Sequence, residues 1–308
     1  MRNCWQSFVA TRSWPSTVTR NLNAQLSLIE ITTRIAKLAK LYPLSLYEGL
    51  RNRHRFEGLE SFVLFIGCSR SGHSIVGSLL DAHPNALIAH EVGILLYVRA
   101  GFSRAQICAL LNRNTVEFTR AGRESKGYNF QVPNQWQGRG SNLHVLGDKM
   151  AEGATRRLRS RPDLIMQLER TMKMPVKLIH VVRNPFDNIS TLNRRSRKTE
   201  LTSEVDHAAE FFFTLCETAQ QIRRKENPGS VFELRHESLI DSPRLVLQNL
   251  CKFLGLEATD DYLDDSTSVI HSVPNRSREK TSWTPEMIDR ISEQMARFEF
   301  LEGYSFTS

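Results

Sequence analysis

The most constraining feature of the chain is an apolar run, a glycine-bounded loop and a helix in immediate succession between Ser61 and Ala82. Phe62–Ile66 is wholly apolar, as expected of a strand buried on both faces of a parallel sheet. The loop Gly67-Cys68-Ser69-Arg70-Ser71-Gly72-His73-Ser74 follows at once and opens a helix expected over Ser74–Ala82. Gly67 and Gly72 let the backbone turn tightly and approach a ligand. Successive N–H groups and the helix N-terminus make a nest for anionic oxygens. Arg70 adds a permanent charge, while Ser71, His73 and Ser74 add side-chain donors. The segment reads as a phosphate cradle; the competing reading is a plain strand-to-helix turn with Ser74 as N-cap. A kinase-type P-loop needs G-x-x-x-x-G-K-[ST]. The glycine spacing fits, but His73 stands in the lysine position, which weakens a nucleotide kinase or NTPase reading.

Further strands are expected at Leu87–Ala89, His144–Leu146, Val176–Val182 and Val231–Leu234. Helices are expected at Pro162–Met172, Pro185–Arg194, Glu204–Lys225 and Pro243–Leu254. This alternation predicts an α/β fold with a mainly parallel sheet flanked by helices, of P-loop-like nucleotide-binding type. Ligands of such sheets bind beyond the carboxyl ends of the strands. Gly122–Asn142, rich in Gly, Asn and Gln, reads as a long loop of the kind that forms lids or substrate walls.

A second candidate site lies where Val176–Val182 runs into Arg183-Asn184-Pro185-Phe186-Asp187. A cation at a strand's carboxyl end, before a helix started by proline, faces the ligand edge of the sheet. Two helical turns on, Ser190 and Thr191 offer hydroxyls beside whatever Arg183 holds. The alternative for Arg183 is an ion pair with Asp187.

The net charge of +8 over 308 residues is unevenly spread. Residues 1–60 hold nine Lys and Arg against four Asp and Glu, so the main body is near neutral and offers no broad nucleic-acid surface. Residues 1–59 read as a basic, partly helical extension before a domain over 60–308. Arg2, Arg12 and Arg20 precede any acid, a transit-peptide-like composition, but no cleavage signal is evident. The apolar residues of Leu26–Leu46 form a helical stripe with Arg34, Lys37 and Lys40, suited to packing on the body or to peripheral membrane contact. No apolar run reaches the roughly 18 residues of a transmembrane helix. Five scattered cysteines without a C-x-x-C pair argue against a disulfide framework or a structural zinc site, so a cytoplasmic location is expected.

Three ordered segments resemble the sulfotransferases that use 3′-phosphoadenosine 5′-phosphosulfate (PAPS). They are Gly67-x-x-Arg70-Ser71-Gly72-x-Ser74, then Leu80-Asp81-Ala82-His83-Pro84, then Val182-Arg183-Asn184-Pro185-x-Asp187. Leu79–Glu91 is especially similar to the tyrosylprotein and Golgi carbohydrate branches. Glu233–Leu239 with Asp241-Ser242-Pro243, Phe253–Leu256, Arg276–Trp283 and Glu302-Gly303-Tyr304 extend the resemblance to about Phe62–Tyr304.

The resemblance implies roles. Arg70, Ser71, Gly72, His73 and Ser74 would hold the 5′-phosphosulfate. Arg183 would bind the 3′-phosphate with Thr191, or with Ser190 if the register is shifted by one. Glu91 would be the general base, with His90 as the alternative, and Lys149 would stabilise the bridging oxygen. Arg278 and Lys280, with Arg276, would be phosphate contacts of a closing segment in which Trp283 packs. PAPS would be the cosubstrate, no metal would be required, and the partner would be a hydroxyl-bearing acceptor: a glycan, a small molecule or a peptide tyrosine. The absence of proline soon after Lys149 departs from several branches and leaves the acceptor side open, as does the oligomeric state. The rivals are a P-loop kinase or NTPase and a non-catalytic protein that keeps the PAPS-binding fold.

Overall fold

The computed structural model describes residues 17–125, 127–197 and 205–308. The transit-like composition expected at the N-terminus therefore lies partly outside the described residues. In chain order the elements are α1 (Thr17–Arg51), β1 (Ser61–Ile66), α2 (His73–Asp81), β2 (Ala86–Ala89), α3 (Ile94–Arg99) and α4 (Arg104–Arg120). A small hairpin, β3 (Glu124–Ser125) and β4 (Tyr128–Asn129), precedes β5 (Val145–Asp148), α5 (Ala151–Ser160) and α6 (Leu164–Met172). Then come β6 (Val176–Val182), α7 (Pro185–Arg197), α8 (Val205–Lys225), β7 (Val231–Arg235), α9 (His236–Asp241), α10 (Pro243–Leu254), α11 (Asp260–Ser268) and α12 (Pro285–Met295).

The main sheet has the order β2-β5-β1-β6-β7, and every neighbouring pair is parallel. β1 is central and all six of its residues are buried, which explains its unbroken apolar run. Phe62, Val63, Leu64, Phe65 and Ile66 are inaccessible to solvent, and each contributes about 1.5–3 kcal/mol of burial. Small residues fill one flank: α5 buries Ala151, Ala154, Thr155 and Leu158. On another, Phe186, Ile189, Phe212, Phe213, Phe298 and Phe300 share a core.

The chain after β1 passes to β2 on one side of the sheet, and the chain after β6 passes to β7 on the other. β1 and β6 are adjacent, with Ile66 opposite His180. Their carboxyl ends therefore diverge into a crevice, the position at which open α/β sheets bind ligands. The Gly67–Ser74 loop leaves one side of this crevice and Arg183 the other.

The chain divides into two compact units between Leu44 and Ser45, within α1. In the second unit Ser45 and Gly49 are buried, and Glu48 accepts from Arg113 Nε at 3.1 Å. Helix α1 continues to Arg51, and Arg55 Nη2 donates to Gly140 O at 2.8 Å, so Arg51–Arg55 is tied to the body. Among the described residues no helix is long and apolar enough to cross a membrane. The free thiols of Cys68, Cys108, Cys216 and Cys251 are buried. The long loop Gly122–Asn142 proves to contain the β3–β4 hairpin.

Candidate active site

The loop after β1 adopts the conformation that a cradle of N–H groups requires. Arg70 (φ 68°) and Gly72 (φ 97°) are left-handed, and Gly72 caps α2. At Gly72 space matters as much as dihedral freedom, because a Cβ there would stand 2.4 Å from His236 Nδ1. The floor of the loop is fixed by three contacts. Gly67 N donates to Thr155 Oγ1 at 2.8 Å, Ser71 Oγ donates to Cys68 O at 2.9 Å, and Arg183 Nη1 donates to Arg70 O at 3.2 Å. The last of these joins the two candidate phosphate segments directly.

Arg183 is buried and also donates to Asn275 O. Burial pushes its guanidinium below its ordinary value, Asp187 and Glu237 oppose this, and Arg70 adds to it. The expected Arg183–Asp187 pairing is thus an electrostatic neighbour relation, while the guanidinium itself reaches the loop. His236 opens α9, inside the Glu233–Leu239 segment, where the sequence itself marks no site role for it. Burial and the Arg183 charge push its pKa to about 4, so at neutral pH it is an uncharged imidazole against Gly72.

Thr191 is half-buried and its hydroxyl donates back to Asp187 O at 2.9 Å, whereas Ser190 is fully buried. Ser69 Oγ, Ser190 Oγ and His236 Nδ1 are buried atoms without a protein partner among the described residues. Such atoms are the ones an anionic, hydrogen-bonding ligand satisfies, so the residues present fit a nucleotide phosphate.

On the other side of β1, β5 and β2 carry the remaining candidates. Lys149 follows β5 and is 1 % exposed, so it is not a strand-end lysine in solvent. Its ammonium donates to Ser74 Oγ at 2.9 Å and to Glu91 Oε1 at 3.1 Å. Its stem passes α2 at Gly77, where a Cβ would stand 2.5 Å from Lys149 Cγ. Loop, cation and carboxylate therefore form one continuous chain of contacts.

The segment bearing Glu91 is held from below. Asp148 is fully buried, and its carboxylate accepts from Val92 N at 3.0 Å and from Gly93 N and Ile94 N at 2.8 Å each. Burial keeps the Asp148 pKa above the ordinary carboxylate value, although these N–H groups and Lys149 pull it down.

His90 points elsewhere. Its ring stacks on Phe118 at 4.2 Å and lies 6.0 Å from Phe130. Phe130 in turn lies 6.3 Å from Tyr128, whose ring is 5.9 Å from the Arg70 guanidinium. A row of rings on α4 and the hairpin thus runs from Glu91's neighbour to the phosphate loop. The hairpin root is clamped by Arg123, which pairs with Asp81 at 2.8 Å; burial pushes the carboxyl up and the guanidinium down, and the pairing opposes both. Asp81 also accepts from Ile88 N at 2.8 Å, so the Leu80–Pro84 motif organises the fold around the site.

The closing segment, expected to supply phosphate contacts, is tied to α7 and to the C-terminal segment. Arg278 is buried: its backbone N–H donates to Asp187 Oδ1 at 2.8 Å, and its guanidinium engages Ser305 O at 3.3 Å and Ser308 O. Lys280 and Arg276 are exposed. Trp283 packs edge-on against Phe186 at 5.3 Å and donates to Arg278 O. Tyr304 donates to Glu237 Oε2 at 2.6 Å, and Glu237 Oε1 accepts from Asn184 N at 3.0 Å, which ties the C-terminal segment to the residue after Arg183. Among the described residues no group of three or more His, Cys, Asp or Glu side chains is placed to hold a metal ion.

No curated protein sequence matches the chain. Among solved structures, it is similar to the sulfotransferase domain from the curacin biosynthetic pathway, with 15% identity, coverage of 78% of this chain and 99% of that one, and a TM-score of 0.48. It is similar to sulfotransferase STF1 from Mycobacterium tuberculosis, at 12% identity, 83% and 82% coverage and a TM-score of 0.47. It is similar also to mouse sulfotransferase SULT7A1 in complex with PAP, at 14% identity, 81% and 88% coverage and a TM-score of 0.45. The profile of the sulfotransferase family matches residues 63–261, a span that takes in the phosphate loop, Glu91, Lys149 and Arg183. The chain belongs to the sulfotransferase family.

Proposed function

We propose that this sulfotransferase takes PAPS as donor and a ring-bearing alcohol or phenol as acceptor, with Glu91 as general base. The observation that carries the reading is the position of Lys149, bonded at once to Ser74 of the phosphate loop and to Glu91. A base and a phosphate site joined through one cation are what in-line sulfuryl transfer needs.

The loop from Arg70 to Ser74 holds the 5′-phosphosulfate, and Arg183 with the Ser190–Thr191 turn holds the 3′-phosphate. The acceptor oxygen attacks sulfur, its proton passes to Glu91, and the bond from sulfur to the 5′-phosphate oxygen breaks. The products are a sulfate ester and adenosine 3′,5′-bisphosphate (PAP). Lys149 neutralises charge that develops on the departing phosphate oxygen. The ring row His90, Phe118, Phe130 and Tyr128 supports an acceptor with a flat face, and a place for His90 on the acceptor wall rather than as the base.

Calorimetry with PAP and with ATP tests the donor. PAP binding at least tenfold tighter than ATP is expected, since ATP has nothing to offer Arg183. Tight ATP binding without PAP binding would restore the kinase or NTPase reading. Failure of any labelled acceptor to appear from PAPS, with PAP bound normally, would favour a non-catalytic binding protein.

A further inference from the structure

The backbone around Glu91 is held on both sides by buried or half-buried side chains from distant parts of the chain. Before it, His90 N donates to Asn114 Oδ1 of α4 at 2.6 Å. After it, Val92, Gly93 and Ile94 N–H groups all converge on the two carboxylate oxygens of Asp148. Glu91 itself is left-handed, at φ 58°, a conformation that costs a non-glycine residue energy and persists only where the surroundings impose it. Asp148 is also the residue before Lys149 and lies in register with Ala89, two residues before Glu91. One dipeptide therefore reaches the site from two directions: Lys149 through its ammonium, Asp148 through the peptide groups beneath the base.

We infer that Asp148, assisted by Asn114, is a positioning residue that imposes the strained backbone of Glu91 and so aims its carboxylate at Lys149 and the incoming hydroxyl. The inference rests on Glu91 being the base. A carboxylate suits the task because it is acceptor-only, and three converging N–H groups need an acceptor at each oxygen. An amide in its place presents two N–H donors toward peptide N–H groups, so Asp148→Asn preserves shape and inverts one half of the contact.

The test is the rate of PAP formation from labelled PAPS with 4-nitrophenol as acceptor, together with PAP affinity by calorimetry and amide hydrogen exchange at Val92–Ile94. Asp148→Asn is expected to lower kcat about 30-fold or more, to speed exchange at these amides, and to leave PAP affinity within about twofold. Asn114→Ala, which leaves the buried carboxylate in place, is expected to act in the same direction and more weakly. In a Glu91→Ala background Asp148→Asn is expected to add nothing, because a positioning residue has nothing left to position. A kcat within about threefold of wild type, or a joint fall of kcat and PAP affinity, overturns the inference. A full additional loss in the Glu91→Ala background overturns it as well. Should Glu91→Ala leave the rate unchanged, the base assignment itself fails, an outcome read separately from the Asp148 series.

Discussion

The Lys149 ammonium and the Glu91 carboxylate stand 3.1 Å apart at the carboxyl ends of β5 and β2, neighbouring strands of one parallel sheet. Lys149 is buried while Glu91 is about one-third exposed, so the cation is fixed and the carboxylate faces the open side. Replacing the cation by an apolar isostere, Lys149→Met, removes the donor proposed to face the departing oxygen. Such a loss costs about 10²–10³ in kcat. The expected result is that fall in single-turnover rate with PAP affinity changed far less.

Arg183 carries a different prediction, because its proposed part is to bind the 3′-phosphate rather than to react. Loss of a charge-assisted contact costs about 1.5–3 kcal/mol. Arg183→Met should therefore weaken PAP binding by roughly ten- to a hundredfold, measured by calorimetry. Binding of adenosine 5′-monophosphate, which lacks the 3′-phosphate, should change by less than about threefold. Equal losses for both nucleotides would place Arg183 in loop support through its bond to Arg70 O instead.

The ring row predicts an effect confined to the acceptor. Phe130 lies between the His90 and Tyr128 rings, and an aromatic contact contributes about 0.5–1.5 kcal/mol beyond its area. Phe130→Ala should raise KM for an aromatic alcohol about tenfold while PAP affinity holds. An unchanged KM would mean that the acceptor approaches from another side.

Two buried imidazoles make stability depend on pH. Burial, with the Arg223 charge adding to it, pushes His180 to about 3; burial and Arg183 push His236 to about 4. In the unfolded chain both titrate near 6.5, so below that value the unfolded state binds more protons and stability falls with falling pH. Thermal melts should show Tm dropping between about pH 6.5 and pH 3, and His180→Gln should flatten the slope across that window.

The parts of the site that the sequence exposed are those written in contiguous residues. Gly67–Ser74, Arg183 and the Gly147-Asp148-Lys149 step each sit at the end of an apolar run, and the sheet brings those ends together. What stayed hidden depends on partners far apart in the chain. Asp148 reads as one acid among many until β5 pairs with β2 and lays it beneath Val92–Ile94. The hairpin's contribution was invisible for the same reason, since Arg123 and Asp81 are 42 positions apart. Helix α5 gives little sequence signal, because it packs through two alanines, a threonine and a single leucine. Helix α4 did carry a signal, the capping box Ser103 and Gln106, that pattern reading could have caught. Arg278 shows a further layer that the sequence does not carry: its backbone N–H is tied to Asp187 and its guanidinium to the C-terminal segment.

Gly77 sits in the middle of α2 with the Lys149 stem where its side chain would be. A glycine there forgoes about 1 kcal/mol of helix stability relative to alanine. Ordinary stability engineering would choose this site first for Gly→Ala, and the added methyl would push the lysine off its line to Glu91. Crowding the root of a buried side chain costs about 1–3 kcal/mol, more than the helix would gain, so Gly77→Ala should lower melting temperature and turnover together. Alanine should be tolerated at position 77 only where position 149 has changed with it.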